Sequence, residues 1–126
     1  MKQLALFSVL ILFGACQSNY GDVVVLEKVQ VFYLSPITKK DAQKLANYWE
    51  EKKLIGEQTQ FLQLSKSGQV IELKIIASDT TLLEEISFEI QLELFKLDSL
   101  LRKDVFPNQE LQILISDKQF TKTKAL

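Results

Sequence analysis

Repeated switches in hydrophobic spacing constrain the fold of this 126-residue chain more than any other feature. Apolar residues alternate with polar ones over 22–34, take helical spacing over 42–49 and alternate again over 59–76. Helical spacing is found again over 80–105, before a last alternating segment over 110–116. A period of two is typical of a strand with one buried face, and a period of 3.6 is typical of an amphipathic helix. The pattern predicts the order β-α-β-β-α-β.

The first predicted helix has a clear start signal. Thr38 is placed to act as the N-cap, and Asp41 three residues later completes a capping-box pair. Ile37 and Ala42 are spaced as a hydrophobic staple around the cap. Gly56 is the expected C-terminal stop.

The segment 80–105 fits two periods. Ile86, Phe88 and Ile90 alternate with polar residues, which is the strand period. A helical stripe also fits, made of Leu83, Ile86, Ile90, Leu94, Leu97 and Leu101. We favour the helix, because so long a strand is unusual and Leu, Glu, Gln and Lys are good helix formers. Ser78, Asp79 and Thr80 offer caps before it.

These elements predict one α+β domain over 22–117, followed by a polar tail over 118–126. The expected arrangement is ferredoxin-like, with two helices on one face of an antiparallel sheet. The start of the first helix, Ser35-Pro36-Ile37-Thr38, resembles that of small uncharacterised α+β modules. That resemblance implies no activity, and a fold alone does not imply one.

The N-terminus has the composition of a secretory signal peptide. A single positive charge, at Lys2, precedes an apolar run over 4–13 that only Ser8 interrupts. The small residues Gly14 and Ala15 follow, and then Cys16, the only cysteine of the chain. The apolar run is too short to span a bilayer, which takes roughly 20 residues.

The sequence Phe13-Gly14-Ala15-Cys16 resembles the lipobox of bacterial lipoproteins. The resemblance implies a signal peptide over 1–15, cleavage before Cys16, acylation of its thiol with palmitate-type chains, and a tether over 16–21. Gln17 stands where those proteins carry a residue that directs sorting. By the same resemblance it favours the outer membrane. Some of these proteins reach the cell surface through an acidic cluster after the cysteine, and here only Asp22 is nearby, which favours a domain facing the periplasm.

Composition excludes several kinds of chemistry. The chain has no histidine, and the lipobox resemblance implies that its one thiol carries lipid, so Ser-His-Asp, Cys-His and common zinc sites are not expected. Without Lys2 the chain has 14 basic and 16 acidic residues, which is unlike a nucleic-acid-binding surface. Glu85 and Glu89, like Glu89 and Glu93, share a helix face and are able in principle to bind Ca²⁺ or transfer protons. We interpret them as a solvated face, and we predict no metal, no cofactor and no enzymatic activity.

The second predicted helix is apolar on two sides. Phe88, Leu92 and Phe95 lie roughly opposite the stripe that faces the sheet. On one interpretation the sheet curls over this side, or the first helix or the tail covers it. On the other, a partner covers it. On the second interpretation these residues form the interface of a homodimer or of a complex with another envelope protein.

The sequence therefore predicts a lipid-anchored envelope protein that acts as a non-enzymatic interaction or assembly module. One alternative is a periplasmic module that binds a small ligand or an envelope polymer, in a groove lined by Tyr33, Tyr48, Trp49 and Phe61. Aromatic residues at such spacings more often belong to the core. A carboxylate-based enzyme is the second alternative.

Overall fold

The protein is an α+β structure, as the sequence predicts. The computed structural model describes residues 20–52, 59–77 and 84–125. Its elements, in chain order, are β1 (Asp22–Val25), β2 (Val29–Tyr33), α1 (Lys39–Glu51), β3 (Gln60–Ser67), β4 (Val70–Ile76), α2 (Phe88–Asp104), β5 (Glu110–Ser116) and β6 (Thr123–Ala125).

The strands form one mixed sheet in which spatial order follows chain order, β1-β2-β3-β4-β5-β6. The pairs β1–β2, β3–β4 and β5–β6 are antiparallel, whereas β2–β3 and β4–β5 are parallel. Each parallel pair is joined through a helix, because parallel neighbours need a long crossover connection. The prediction of an antiparallel sheet is therefore wrong, and the ferredoxin-like arrangement is not confirmed, since the sheet has six strands and mixed pairing.

The segment predicted as one strand, 22–34, is a hairpin. Val24 of β1 pairs with Val31 of β2, and the chain turns between the strands at Glu27 and Lys28. The alternation continues on both sides of this turn, so periodicity alone does not reveal it. The two consecutive strands expected over 59–76 form the β3–β4 hairpin, with only Gly68 and Gln69 between the paired ends.

The cap predicted for α1 is confirmed. The Thr38 hydroxyl accepts from the Asp41 N–H at 3.3 Å, and the Asp41 carboxylate accepts from the Thr38 N–H at 3.4 Å. The helix ends at Glu51, with Lys52 as its C-cap, so the stop expected at Gly56 is wrong. Gly56 lies outside the described residues.

The second helix begins later than the sequence predicts. Ser87 is its N-cap and accepts from the Ile90 N–H at 3.4 Å. Ile86 is buried but precedes the helix. The caps expected over 78–80 lie outside the described residues.

One face of the sheet and both helices share a single core. α1 contributes Ala42, Leu45, Ala46, Tyr48 and Trp49, and α2 contributes Leu94 and Leu101. These pack on the side chains that alternate inward from the strands, among them Val31, Leu64, Leu73 and Ile113. The apolar residues that the sequence predicts on the sheet-facing side of this helix are buried or packed against the core wherever the structure describes them. Ile90 and Leu97 pack against the same core.

The helices are also linked through polar contacts. The Tyr48 hydroxyl of α1 donates to the Asp104 carboxylate of α2 at 3.0 Å. The Lys44 ammonium donates to the Val105 carbonyl, just after α2, at 3.1 Å. These contacts hold the helices in one arrangement over the sheet.

The predicted polar tail is part of the fold. Its residues Thr123–Ala125 form β6, with Ser116 pairing with Thr123. The intervening loop, 117–122, returns over the face of the sheet that the helices leave open. We call that surface the open face.

Candidate functional site

The outer side of α2 presents the residues that the sequence marks as an interface. Phe88, Leu92 and Phe95 are 73%, 44% and 55% exposed, although each is large and apolar. Their spacing of four and then three residues aligns them along one side of the helix. We call these three residues the α2 stripe.

A contiguous apolar stripe on solvent is unusual for a helix whose other side is buried in a core. Within the described residues, neither the sheet nor the segment after β5 covers the α2 stripe, because all three side chains remain exposed. The alternative in which the sheet, α1 or the tail buries these residues is wrong for this part of the chain. The arrangement suits contact with another macromolecule.

A second apolar surface lies on the open face. The rings of Tyr20, Phe32 and Phe120 form a cluster with centroid separations of 5.7 to 5.9 Å, in tilted and edge-to-face geometry. Such geometry is favourable between aromatic rings. Tyr20 precedes β1 and Phe120 follows β5, so the cluster joins the two ends of the domain over the sheet.

The loop that carries Phe120 is organised by Asp117. One carboxylate oxygen accepts from the N–H groups of Gln119 and Thr121, at 3.2 and 2.9 Å. The other accepts from the Thr121 hydroxyl at 2.8 Å and from the Lys122 N–H at 3.2 Å. Desolvation alone would raise the pKa of Asp117, but these hydrogen bonds outweigh it and lower the pKa below its ordinary value. The carboxylate therefore stays ionised at neutral pH and fixes the loop.

Two clefts flank the aromatic cluster. The first has a volume of about 380 Å³ and is lined by Tyr20, Phe32, Phe61, Ile76, Lys118 and Phe120. The second, of about 580 Å³, is more polar and is lined by Tyr20, Leu34, Gln63, Lys74, Gln119, Phe120 and Thr121. Both volumes fall in the range of small-molecule sites. Tyr20 and Phe120 line both clefts and so stand between them.

Comparison with known proteins places the domain in a family. Residues 22–126 match the AF_1994_N family N-terminal domain. The chain belongs to the AF_1994_N family. No curated protein and no solved structure gave a significant match.

The family domain spans β1 to β6 and so contains the α2 stripe and most of the open face. Tyr20 and Cys16 precede the matched residues. Family membership thus concerns the folded domain and leaves the N-terminal segment unaddressed. No helix within the described residues is long and apolar enough to cross a membrane.

The groove predicted from Tyr33, Tyr48, Trp49 and Phe61 is not assembled in the AF_1994_N domain. Tyr48 and Trp49 are buried in the core with α1, whereas Phe61 lies on the open face. Sequence analysis missed Tyr20, Lys118 and Phe120 as neighbours of Phe61. Alternation along β2 does assign Phe32 to the face opposite Val31, but the loop residues give no such signal.

The carboxylates of the described residues form no metal site. No group of three metal-ligating side chains occurs within 20–52, 59–77 and 84–125. Glu85 precedes α2, so it does not share a helix face with Glu89 as expected. Burial raises the pKa of Tyr48, and its hydrogen bond to Asp104 and the charge of that carboxylate raise it further. Tyr48 therefore keeps its proton and serves as a link between the helices.

Proposed function

We propose that this protein is a lipid-anchored protein of the bacterial cell envelope that works as a non-enzymatic interaction module. The α2 stripe is the observation that carries the proposal. Covering an exposed Phe or Leu side chain stabilises a complex by roughly 1–2 kcal/mol, at about 25 cal/mol per Å² of apolar surface. Aromatic side chains of this kind are enriched at the centres of protein interfaces.

The anchor follows from the lipobox-like Phe13-Gly14-Ala15-Cys16. Acyl chains on Cys16 would hold the protein at the membrane, because two or more chains anchor a protein stably. The domain then needs no membrane-binding patch of its own, which leaves its apolar surfaces available for other contacts. Gln17 supports an outer-membrane position, and the single nearby acidic residue, Asp22, supports a domain that faces the periplasm.

Lipid attachment is tested by metabolic labelling with radioactive palmitate. The wild-type chain is expected to incorporate label and to fractionate with membranes. The Cys16→Ser chain is expected to incorporate none, because Cys16 is the only thiol. Globomycin, which blocks the lipoprotein signal peptidase, should cause the longer precursor to accumulate. Equal labelling of the two chains would refute the anchor.

The interaction role is tested by crosslinking and mass spectrometry in native membranes. We expect Phe95→Ser to reduce the crosslinked protein products about tenfold or more, since it replaces an exposed aromatic ring of the α2 stripe by a small polar side chain. Leu100→Ser is the matched control. Leu100 lies on the same helix and is 44% exposed, as Leu92 is, but it stands off the stripe. Equal effects of the two variants, or none, would argue against the α2 stripe as an interface.

Binding of a small ligand is a second candidate, because the 380 Å³ cleft is lined by aromatic rings and one cation. Lys118 makes no ion pair with the described residues, so a negatively charged group on an apolar molecule would suit it. Phe61→Ser separates the two candidates in the same cells. If the interaction role is correct, this variant keeps the protein crosslinks. Loss of a co-purified small molecule in Phe61→Ser, with Phe95→Ser unaffected, would favour the ligand-binding role instead.

A further inference from the structure

We propose that the α2 stripe pairs with the α2 stripe of a second copy of this chain, as an antiparallel helix pair. The inference rests on the proposed interaction role of α2 and names the partner. It is carried by the order of apolar, small and charged residues along the exposed side of the helix.

The exposed side of α2 follows the seam pattern of a two-helix coiled coil. Phe88, Leu92, Phe95 and Ser99 are spaced by four, three and four residues, as alternating d and a positions of a heptad are. In an antiparallel pair, each a position lies against a d position of the other helix. Leu92 of each copy then meets Phe95 of the other, and each Phe88 lies over the small Ser99 of the other. Each Phe95 ring thus packs against a leucine, and each Phe88 ring packs against a serine, so two large rings never face each other.

Charges beside the seam fix the orientation of the pair. Glu89 and Lys96 each follow a d position, so they lie on the same flank of the stripe, seven residues apart. Both are exposed, and neither forms an ion pair within the described residues. In an antiparallel pair this flank faces the same flank of the other helix. Glu89 of each copy then lies opposite Lys96 of the other, which gives two equivalent ion pairs.

A parallel pair lacks this complementarity. In that orientation the flank with Glu89 and Lys96 faces the opposite flank of the second helix. Lys96 would then lie near the neutral Gln91, and Glu89 would gain no charged partner on the second helix, because the facing heptad position falls before the start of α2 at Phe88. On the opposite flank Asp98 is already paired with Arg102 of its own helix, at 3.1 Å. The charge pattern therefore selects the antiparallel arrangement.

The interface is small compared with a standard one, which buries about 800 Å² on each partner. Two copies confined to one membrane meet at a higher effective concentration than in solution. The pairing is thus expected in the membrane and in mild detergent at high protein concentration, and it weakens on dilution.

The test is a charge exchange between two differently tagged full-length copies expressed in the same cells. Glu89→Lys alone and Lys96→Glu alone each convert both ion pairs to repulsions. Each is expected to lower co-purification of the tagged copies on the order of tenfold. The chain with both changes restores the two ion pairs and should co-purify with itself as the parent does. Mixed with the parent chain, it should co-purify poorly, because both contacts are then between like charges.

Leu100→Ser is the control for a general effect of surface changes on α2, and it should leave co-purification unchanged. The proposal is overturned if the parent copies do not co-purify, if the double exchange fails to recover, or if the exchanged and parent chains mix freely. If copies do not pair but Phe95→Ser still removes crosslinks to a different envelope protein, the second copy is wrong and the interaction role stands. If Phe95→Ser changes no crosslink either, both proposals are wrong.

Discussion

Replacing Phe106 with Ala is expected to lower the free energy of unfolding by about 3–5 kcal/mol. Phe106 is only 1% exposed and lies two residues after α2, in the core that both helices share with the sheet. Truncation of the ring leaves a cavity between elements that are already fixed by other contacts, so little collapse can offset the loss. Trp49 is the sole tryptophan and is buried, so its fluorescence reports unfolding in urea directly.

Phe88→Ala is the matched control for this prediction. It makes the same chemical change on a ring that is 73% exposed. The expected change in the free energy of unfolding is within about 0.5 kcal/mol, as for surface substitutions in general. The measurement is made at high dilution, so that association between copies does not contribute. Similar losses for the two variants would contradict the assigned core.

The second large effect is expected for Gly21→Ala, at about 2 kcal/mol or more. Gly21 joins Tyr20 to β1 with a φ of +84°, where a side chain is strained. An added methyl group would also overlap the Tyr33 carbonyl oxygen and would lie 2.8 Å from Leu34 Cδ2. The carbonyl is backbone in β2 and cannot move without disturbing the β1–β2 hairpin.

Gly68→Ala is the matched control, because it introduces the backbone strain of a positive φ without the steric overlap that is expected at Gly21. Gly68 also has a positive φ, of +60°, but no atom lies within 4 Å of an added methyl group there. Only the conformational cost of about 1–2 kcal/mol is expected. The two variants are compared by urea unfolding followed at Trp49. A loss for Gly21→Ala no greater than that for Gly68→Ala would show that the close approach to Tyr33 does not matter.

Local signals predicted much of the secondary structure. Thr38 and Asp41 form the cap that their spacing indicates, and β5 has the predicted bounds. The inward side of α2 was also predictable, because the spacing of Leu94, Leu97 and Leu101 places them on one face. The sequence was sufficient to predict features that depend only on the spacing of residues within one helix or strand.

Strand pairing was not predictable in the same way. Whether β2 and β3 run parallel depends on where the intervening helix packs, which is a tertiary property. The turn at Glu27 and Lys28 lies between two valine-rich segments. The hydrophobic spacing is typical of a strand on both sides, so it did not predict the turn. β6 is three residues long and is stabilised by pairing with β5 more than by its composition.

The two candidate surfaces differ in the same respect. The α2 stripe lies on one helix, so the spacing of Phe88, Leu92 and Phe95 was enough to predict it. The cleft beside the aromatic cluster is assembled from Tyr20, Phe61 and Phe120, which are far apart in the chain. Only the sheet register and the Asp117 loop bring them together.

The core-facing side and the exposed side of α2 consist of different residues, so mutation can change one side without the other. The residues that fix α2 in the domain, such as Leu94 and Leu101, point inward, while the seam residues contribute nothing to the core. Substitutions at the seam are therefore expected to change the proposed contacts of α2 at little cost in folding stability. In this chain the packing of α2 on the sheet and the surface proposed for recognition thus depend on different residues of one helix.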